Sequence, residues 1–426
     1  MTHLLNQKTP KEFEPSNSSK NTNSPQPTYN APTLKIMPHN ELKNKILSKV
    51  STDLADIEKA LHDNLTPNLS LVSEIAGHLL FSGGKRLRPL MMLLSSRLCT
   101  QTLDKVDVET STIQQLPSEN TVDLFVKFST IFEYLHAATL LHDDVVDEAQ
   151  MRRGKPSAHS RWSVPKVVLT GDFLLARSLS LAAETKIPEI IAIMAKITED
   201  MSQGEIEQME YKRKVDLTES QYLKIIERKT AVLIQGACRS GAILAHRVKD
   251  GNKPILDHED KENFNWQTTP KKMFEYWQVR EEALDRYGYH LGIAFQMADD
   301  LLDYTGDAAS LGKNPGADIR EGKLTLPLIH ALLKANDKDS EVMKNIIINC
   351  CGKLEDFNGK PEDSNSSLDN FPLMLEKINK YKGIEYTELQ AKHHVEQAKK
   401  SLELFQECEA KEILMLLADY SISRKV

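Results

Sequence analysis

The chain has 426 residues, a formal net charge of −7 and 40% hydrophobic content, enough for one large core or two ordinary domains. No Lys/Arg-rich block stands out, which argues against nucleic acid as the main partner. The five cysteines, Cys99, Cys238, Cys350, Cys351 and Cys408, are scattered and odd in number and lack C-x-x-C spacing, so they read as reduced thiols of an intracellular protein.

In chain order, residues 1–34 are rich in Pro, Asn, Ser and Thr and are predicted to be a disordered tail, too polar to offset the entropy of ordering. This tail lacks the apolar stretch of a secretory signal. The first arginine of the chain comes only at Arg86, and Glu12 and Glu14 come early, which makes the tail a poor mitochondrial transit peptide. Residues 35–426 read as one domain. "ELKNKILSKVSTDLADIEKALHDNL" spaces Leu42, Ile46, Val50, Leu54, Ile57 and Leu61 by three and four, the period of a helix with one buried face. A polar loop precedes Thr121. Helical patterns follow over 121–147, 166–184, 187–211, 219–246, 279–304 and 384–404. Polar insertions punctuated by Gly, Pro and Asn interrupt them at 248–272 and 352–370. The vicinal Cys350-Cys351 reads as a packing pair at a helix end. Strand-like alternation is scarce, so the fold class is all-α. Segments 130–142 and 291–302 are apolar almost all round and belong inside a bundle. No apolar run approaches the roughly 18 residues needed to cross a bilayer, which leaves peripheral membrane contact as the only membrane reading.

Two acidic clusters end apolar helices. In "LLHDDVVDEAQMRRG", Asp143 and Asp147 stack at i and i+4, with Asp144 one step round. "FQMADDLLDYTGD" repeats the spacing with Asp299, Asp300 and Asp303. Stacked like charges destabilise a helix unless something compensates them. Oxygen-only donors at this spacing suit a hard cation such as Mg²⁺, which takes one or two carboxylates and fills its shell with water and phosphate oxygens. A solvated acidic helix end is the alternative for either cluster alone. Two clusters of the same spacing, each behind an apolar helix, instead suggest a pocket with an apolar wall and a charged mouth.

Cations accompany the carboxylates. "GGKRLRP" sets Lys85, Arg86 and Arg88 after a Gly-Gly break, a pattern suited to an anion. Arg152 and Arg153 follow the first cluster, and Lys229-Thr230 and Lys313 add cations elsewhere. Metal-binding acids with scattered Arg and Lys imply a polyanionic, metal-bound substrate such as a diphosphate. Other chemistries fail on spacing. "GDAASLGKN" has one residue too many for a P-loop and follows no strand. Glu133 and His136 form one E-x-x-H without a convincing second, so a di-iron bundle is weakly supported. There is no zinc spacing, and His393-His394 reads as a solvated helix face.

With these residues in view, the chain resembles the trans-polyprenyl diphosphate synthases from about residue 40 to the C-terminus. The motifs that carry the likeness are "GGKRLRP", "LHAATLLHDDVVDEAQMRRG", "GDFLLARSL", "RKTAVLI", "FQMADDLLDYTGD" and "LGKNPGADIREGKLTLPLI", in that order. A single D-D-x-x-D is weak evidence; the ordered set is specific. Among eukaryotic members the chain is most similar to the hexaprenyl to decaprenyl diphosphate synthases of ubiquinone biosynthesis. The resemblance implies the isoprenoid synthase fold, a single large helical bundle around a central apolar cavity, and prenyl transfer from an allylic diphosphate (farnesyl or geranylgeranyl) to isopentenyl diphosphate. It implies that Asp143, Asp144, Asp147, Asp299, Asp300 and Asp303 hold about three Mg²⁺. Arg152, with Lys229 and Lys313, would bind the allylic diphosphate. Lys85, Arg88, His136 and Arg153 would bind isopentenyl diphosphate. Thr230 and Gln296 would stabilise the allylic cation. A homodimer, or a heteromer with a related subunit, and a mitochondrial location are also implied.

Product length turns on the helix before Asp143. In short-chain relatives a bulky aromatic four or five residues before the first aspartate blocks the path of the growing tail; here Thr139 and Ala138 are small. By helical rise, Leu135 lies about 12 Å and Phe132 about 16 Å below Asp143. The expectation is an open tunnel, a product longer than geranylgeranyl, and Phe132 as a candidate floor, with ordinary core packing as its alternative. Rival readings are a subunit of a heteromeric synthase, a shorter-chain (geranylgeranyl) synthase, a class I terpene cyclase and a non-enzymatic helical scaffold.

Overall fold

Apolar residues at helical spacing produce helices almost throughout. The computed structural model describes residues 38–101, 119–152, 154–249, 253–254, 270–306, 315–349 and 370–423. The tail 1–34, Arg153, Lys313, Cys350-Cys351 and all but the last residue of 352–370 lie outside the described residues. Of the 248–272 insertion, a short ladder pairing Val248 with Pro254 and Lys249 with Lys253 is described, together with the first turn of the following helix.

The first half contains α1 (His39–Leu65), α2 (Ser70–Leu80), α3 (Leu87–Gln101) and α4 (Glu119–Val146). A small antiparallel hairpin follows, β1 (Met151–Arg152) with β2 (Lys155–Pro156), turning through Gly154 at φ +73°. Then come α5 (Ala158–Arg161), α6 (Val164–Glu184), α7 (Pro188–Glu210), α8 (Glu219–Ile226) and α9 (Val232–Arg247). Beyond the β3 (Val248–Lys249) and β4 (Lys253–Pro254) ladder stands α10 (Pro270–Thr305). The chain closes with α11 (Ala317–Arg320), α12 (Leu326–Lys334), α13 (Asp337–Asn349), α14 (Phe371–Lys380), α15 (Gly383–Ser401) and α16 (Glu409–Ile422).

The predicted helix over 219–246 is interrupted. Residues Glu227–Ala231 form one π-helical turn between α8 and α9. Single π-turns inside helices recur at functional sites because they re-aim side chains. Here the turn carries Lys229 and Thr230.

Two apolar clusters fill the interior. The larger packs α1, α3, α4, α6, α7, α9 and α16 around buried Phe125, Phe132, Leu141, Leu174, Ile234 and Leu414. The smaller packs α8, α12, α13, α14 and α15 around Tyr222, Ile226, Leu326, Met343 and Ile378. Helix α10 belongs to both, giving Leu291 and Ala294 to the first and Ile293, Met297 and Tyr304 to the second. With 36 residues it is about 54 Å long. The expectation that no segment is long and apolar enough to span a bilayer is corrected by α4. Val122–Val146 meets that measure by length and composition, and 72% of its apolar window is buried in the bundle. It is apolar all round because protein surrounds it.

Arg86 is a second correction. Grouped in the sequence with a surface anion site, it is only 3% exposed and sits at φ +47°. Its guanidinium turns inward to Glu133 and Glu58. The same contact removes Glu133 from any E-x-x-H metal site.

Candidate active site

Both acidic clusters fall at helix C-termini, Asp143 and Asp144 in the last turn of α4 and Asp299, Asp300 and Asp303 in the last turns of α10. Neither last turn carries a basic residue. Acids at a C-terminus meet the negative end of the helix dipole. Compensation must come from elsewhere in the chain, and it does.

The β1–β2 hairpin folds back so that Arg152 Nε donates to Asp144 Oδ1 at 2.8 Å, and Asp144 is 1% exposed. Asp147, just beyond α4, has Lys323 Nζ at 3.6 Å and Lys212 Nζ at 3.7 Å. Lys323 also reaches Glu321 at 2.7 Å, and these acids hold its ammonium above the ordinary lysine value in spite of burial. Asp143 is half-buried. Burial pushes its carboxyl up to about 6, against the pull of nearby Lys229. The Lys229 ammonium is held by Glu205 at 2.5 Å and Gln208 at 2.8 Å, both on α7.

In the second cluster, Asp299 is half-buried and Asp300 is buried. Asp300 Oδ2 accepts from the Tyr222 hydroxyl at 2.6 Å, and Oδ1 accepts from Gln296 Nε2 at 2.7 Å. Burial, with Asp318 adding to it, pushes the Asp300 carboxyl up to about 8. Asp303 accepts from the backbone N–H groups of Ala317 and Asp318 at 3.1 and 2.9 Å, holding the start of α11 to the end of α10. Thr230 Oγ1 donates to Gln296 Oε1 at 2.8 Å. The predicted pair Thr230 and Gln296 therefore meets, although 66 positions separate the two in sequence.

Between these groups lies a cavity of about 210 Å³. Lys229, Thr230, Gln296, Asp300 and Lys323 give it polar walls, and Leu217, Ile225, Ile226 and Leu324 give it apolar ones. Of the clustered aspartates, Asp300 is the one in its lining. Its lining does not include Phe132, Leu135, Ala138 or Thr139. The first three are buried in the larger core cluster, and Thr139 is half-buried with its hydroxyl on His136 O at 2.9 Å.

The remaining predicted residues are placed on α3 and α4. Lys85, just before α3, is exposed, with Nζ 5.4 Å from the centroid of the Tyr420 ring. Arg88 in the first turn of α3 and His136 on α4 are half-buried. "GDFLLARSL" acts through packing. Gly171 lets α6 approach His142 on α4, where an added Cβ would lie 2.3 Å from Nε2, and Arg177 Nε donates to Asn64 O at 2.6 Å. His394 is not simply solvated, because its Nδ1 lies 3.0 Å from Nδ1 of His290.

Sequence reasoning missed Lys323, Lys212 and Tyr222. Lys323 stood inside a quoted motif, but a lone lysine carries no spacing signature. Tyr222 follows helical apolar periodicity and is indistinguishable from core by pattern.

Fit to a hard cation follows from donor chemistry. The aspartates offer only oxygen, and among the described residues no three His, Cys, Asp or Glu side chains converge to close a metal site alone. Oxygen donors of this kind suit Mg²⁺, whose shell is completed by water and substrate phosphate.

Comparisons with known proteins agree with this geometry. The sequence matches the polyprenyl synthetase family over residues 69–258 and 272–357. It is 34% identical over 307 residues to an all-trans-nonaprenyl-diphosphate synthase (geranyl-diphosphate specific) of Rhodobacter capsulatus, covering 72% of this chain and 80% of the relative. It is 34% identical over 285 residues to heptaprenyl diphosphate synthase component 2 of Geobacillus stearothermophilus, covering 67% of this chain and 74% of the relative. The fold matches a crystal structure of a Caulobacter crescentus polyprenyl synthase complexed with calcium and isoprenyl diphosphate, with a TM-score of 0.70 and 31% identity over 90% of this chain and 98% of that one. An all-α bundle and these matches together make the chain a member of the polyprenyl synthetase family and a prenyltransferase enzyme.

Proposed function

We propose that this enzyme extends an allylic diphosphate, farnesyl or geranylgeranyl, with successive isopentenyl diphosphate units to a long all-trans polyprenyl diphosphate that serves as a ubiquinone side chain. The observation that carries the reading is the cavity walled by Lys229, Thr230, Gln296, Asp300 and Lys323, with Lys229 close to Asp143 and Lys323 close to Asp147.

Asp143, Asp147 and Asp299 would hold Mg²⁺, about three ions by family likeness, together with Asp144 and Asp303. When bound, Mg²⁺ neutralises diphosphate charge and makes diphosphate a better leaving group. Lys229, Lys323 and Arg152 bind and orient the allylic diphosphate as the C1–O bond breaks, stabilising charge that develops on the departing oxygen. Their present carboxylate partners hold these cations near the site before substrate arrives. Thr230 Oγ1 and Gln296 present oxygen dipoles to the allylic cation. The double bond of isopentenyl diphosphate, held through Lys85, Arg88 and His136, supplies the electron pair of the new C–C bond. The proton then lost from the adjacent carbon passes to the released diphosphate. Leu217, Ile225, Ile226 and Leu324 keep water from the cation.

Support for a long product is the small size of Ala138 and Thr139 on α4, together with the long-chain product named for the nonaprenyl relative. Exposed Val164, Leu169 and Leu179 on α6, with Ile191 and Ile206 on α7, support association through these helices as a homodimer, or with a related subunit as the name "component 2" suggests for its bearer. A mitochondrial location belongs to the same proposal and is tested by imaging a C-terminal fluorescent fusion.

The test is product analysis. The purified protein is incubated with farnesyl diphosphate, labelled isopentenyl diphosphate and Mg²⁺, and the dephosphorylated prenols are resolved by length. A ladder ending in one prenol longer than twenty carbons is expected. A fifteen- or twenty-carbon end product overturns the long-chain reading. No extension by the protein alone, with extension restored by a partner subunit, makes it one component of a heteromeric synthase.

A further inference from the structure

Tyr222 lies on α8, two turns before Lys229, and is 3% exposed. Its hydroxyl begins a chain of hydrogen bonds that ends at Thr230. Tyr222 donates to Asp300 Oδ2 at 2.6 Å, Gln296 Nε2 donates to Asp300 Oδ1 at 2.7 Å, and Thr230 Oγ1 donates to Gln296 Oε1 at 2.8 Å. Tyr222, Asp300, Gln296 and Thr230 all line the same cavity.

The order of donors is set by chemistry. The NH₂ end of the Gln296 amide faces Asp300 Oδ1, a carboxyl oxygen that accepts whether or not Asp300 carries a proton on Oδ2. The carbonyl end then faces Thr230 and takes that residue's one hydroxyl proton. What Thr230 can still offer the cavity is the lone pairs of its oxygen, the polarity an allylic cation needs. A glutamine amide turned the other way would instead present Thr230 with a donor, and the hydroxyl proton would be free to point at the cation. Asp300 Oδ1 holds the amide, and Tyr222 holds Asp300 from its other oxygen. A phenylalanine would fill the apolar space around Tyr222 equally well but would leave a buried carboxyl oxygen without this partner. The neighbouring buried tyrosine, Tyr304, bonds Thr325 through its hydroxyl and does not replace it.

We propose that Tyr222 is a positioning residue for prenyl transfer: through Asp300 it fixes the Gln296 amide, and thereby turns the lone pairs of the Thr230 hydroxyl toward the reacting allylic carbon. The inference rests on the reading of Thr230 and Gln296 as cation stabilisers given above. It gives Asp300 positioning work, with Oδ2 held by Tyr222 and Oδ1 by Gln296, in place of the metal contact that the family likeness implies.

The experiment uses the full chain with farnesyl diphosphate, isopentenyl diphosphate and Mg²⁺, comparing Tyr222→Phe, Gln296→Ala and the double variant. Loss of a hydrogen bond in this chain is expected to lower kcat about tenfold in each single variant. The double variant should fall no further than the weaker single one, because both changes break the same chain. KM for isopentenyl diphosphate and the Mg²⁺ concentration for half activation should stay within about twofold of wild type. Losses that multiply in the double variant, or a shifted Mg²⁺ requirement in Tyr222→Phe, overturn the inference. Asp300→Asn provides a second route should Tyr222→Phe fold poorly. It keeps the shape, replaces one carboxyl oxygen by an NH₂ donor, and should lower kcat without moving the Mg²⁺ requirement; a large Mg²⁺ shift there makes Asp300 a metal ligand and overturns the proposal. A wild-type protein inactive with every allylic primer would overturn the functional reading itself, whereas an active wild type with multiplying losses overturns this inference alone.

Discussion

Arg86 Nη1 stands 2.9 Å from Glu133 Oε1, and the two side chains are 3% and 6% exposed. Glu58 closes the other edge of the guanidinium at 2.9 and 3.1 Å. Burial opposes the charge on Arg86, but Glu58 and Glu133 outweigh it and hold the guanidinium above its usual value. Removing one partner of such a pair strands a buried charge. Arg86→Ala is expected to destabilise the fold by about 3 kcal/mol, read from urea unfolding. KM for isopentenyl diphosphate should barely change in the folded variant. The opposite pattern, a raised KM with unaltered stability, would return Arg86 to the anion site with Lys85 and Arg88.

Ala138 is 2% exposed on α4, five residues before Asp143, and is packed within the larger core cluster. Ala138→Phe places a ring where the proposed tail must pass. The variant should retain the first condensation and accumulate a prenol several units shorter, with an overpacking penalty of about 1–3 kcal/mol. Chromatography of the prenols measures both length and total turnover. An unchanged end product would remove the path along α4, and Phe132 with it.

Much of this was legible in the sequence for a physical reason. Period-3.6 apolar spacing reports burial directly, so α1, α4, α6, α7 and α15 stand close to where the pattern put them. The aspartate clusters were visible because like charges stacked at i and i+4 demand an explanation. Direction was not legible. Lys85, Arg86 and Arg88 are equally cationic in a string of letters, but a backbone at φ +47° sends Arg86 into the core. The π-turn at Glu227–Ala231 has no signature in periodicity, because one extra residue per turn looks like noise. Tyr222, Lys212 and Lys323 join the site through tertiary contacts alone. His394 read as solvent-facing because its partner lies 104 positions away.

That pair makes a prediction about acid. Burial, reinforced by neighbouring cations, lowers His290 and His394 from the usual 6.5 to about 4 each. Between those values these two groups bind more protons in the unfolded chain than in the folded one, so their contribution to stability falls as pH drops through the window. The loss is sharpened because two imidazolium rings would face each other across 3.0 Å, where one neutral ring now donates to the other. Asp143 and Asp300, raised by burial, act in the opposite sense, so the pair is read by difference: between pH 7.5 and pH 5 the urea midpoint of wild type should change less favourably than that of His394→Gln. That variant still offers a donor and an acceptor to His290. Equal changes in both proteins would place the acid sensitivity elsewhere, with His246, also lowered to about 4, as the next group to replace.

Helix α10 can bring Gln296 to Thr230 only because glycine stands one turn earlier. A Cβ on Gly292 would lie 2.6 Å from Ala231 Cα and 2.8 Å from Ala231 Cβ, inside any real contact and against backbone that cannot swing aside. Ala231 is the last residue of the π-turn that carries Lys229 and Thr230. Gly292→Ala must therefore push α10 away from that turn, and the first bond to stretch is the 2.8 Å link between Thr230 and Gln296. We expect a stability loss of about 1–3 kcal/mol, measured by urea unfolding, and a fall in kcat of tenfold or more in the protein that remains folded. Gly77→Ala is the control. It lies within α2, where an added Cβ would meet Phe81 at an ordinary 3.4 Å. There the backbone entropy of glycine dominates, and the substitution should raise stability by about 0.5–1 kcal/mol with kcat unchanged. Full activity in Gly292→Ala would mean that the close approach of α10 to the π-turn packs the core without aiming Gln296.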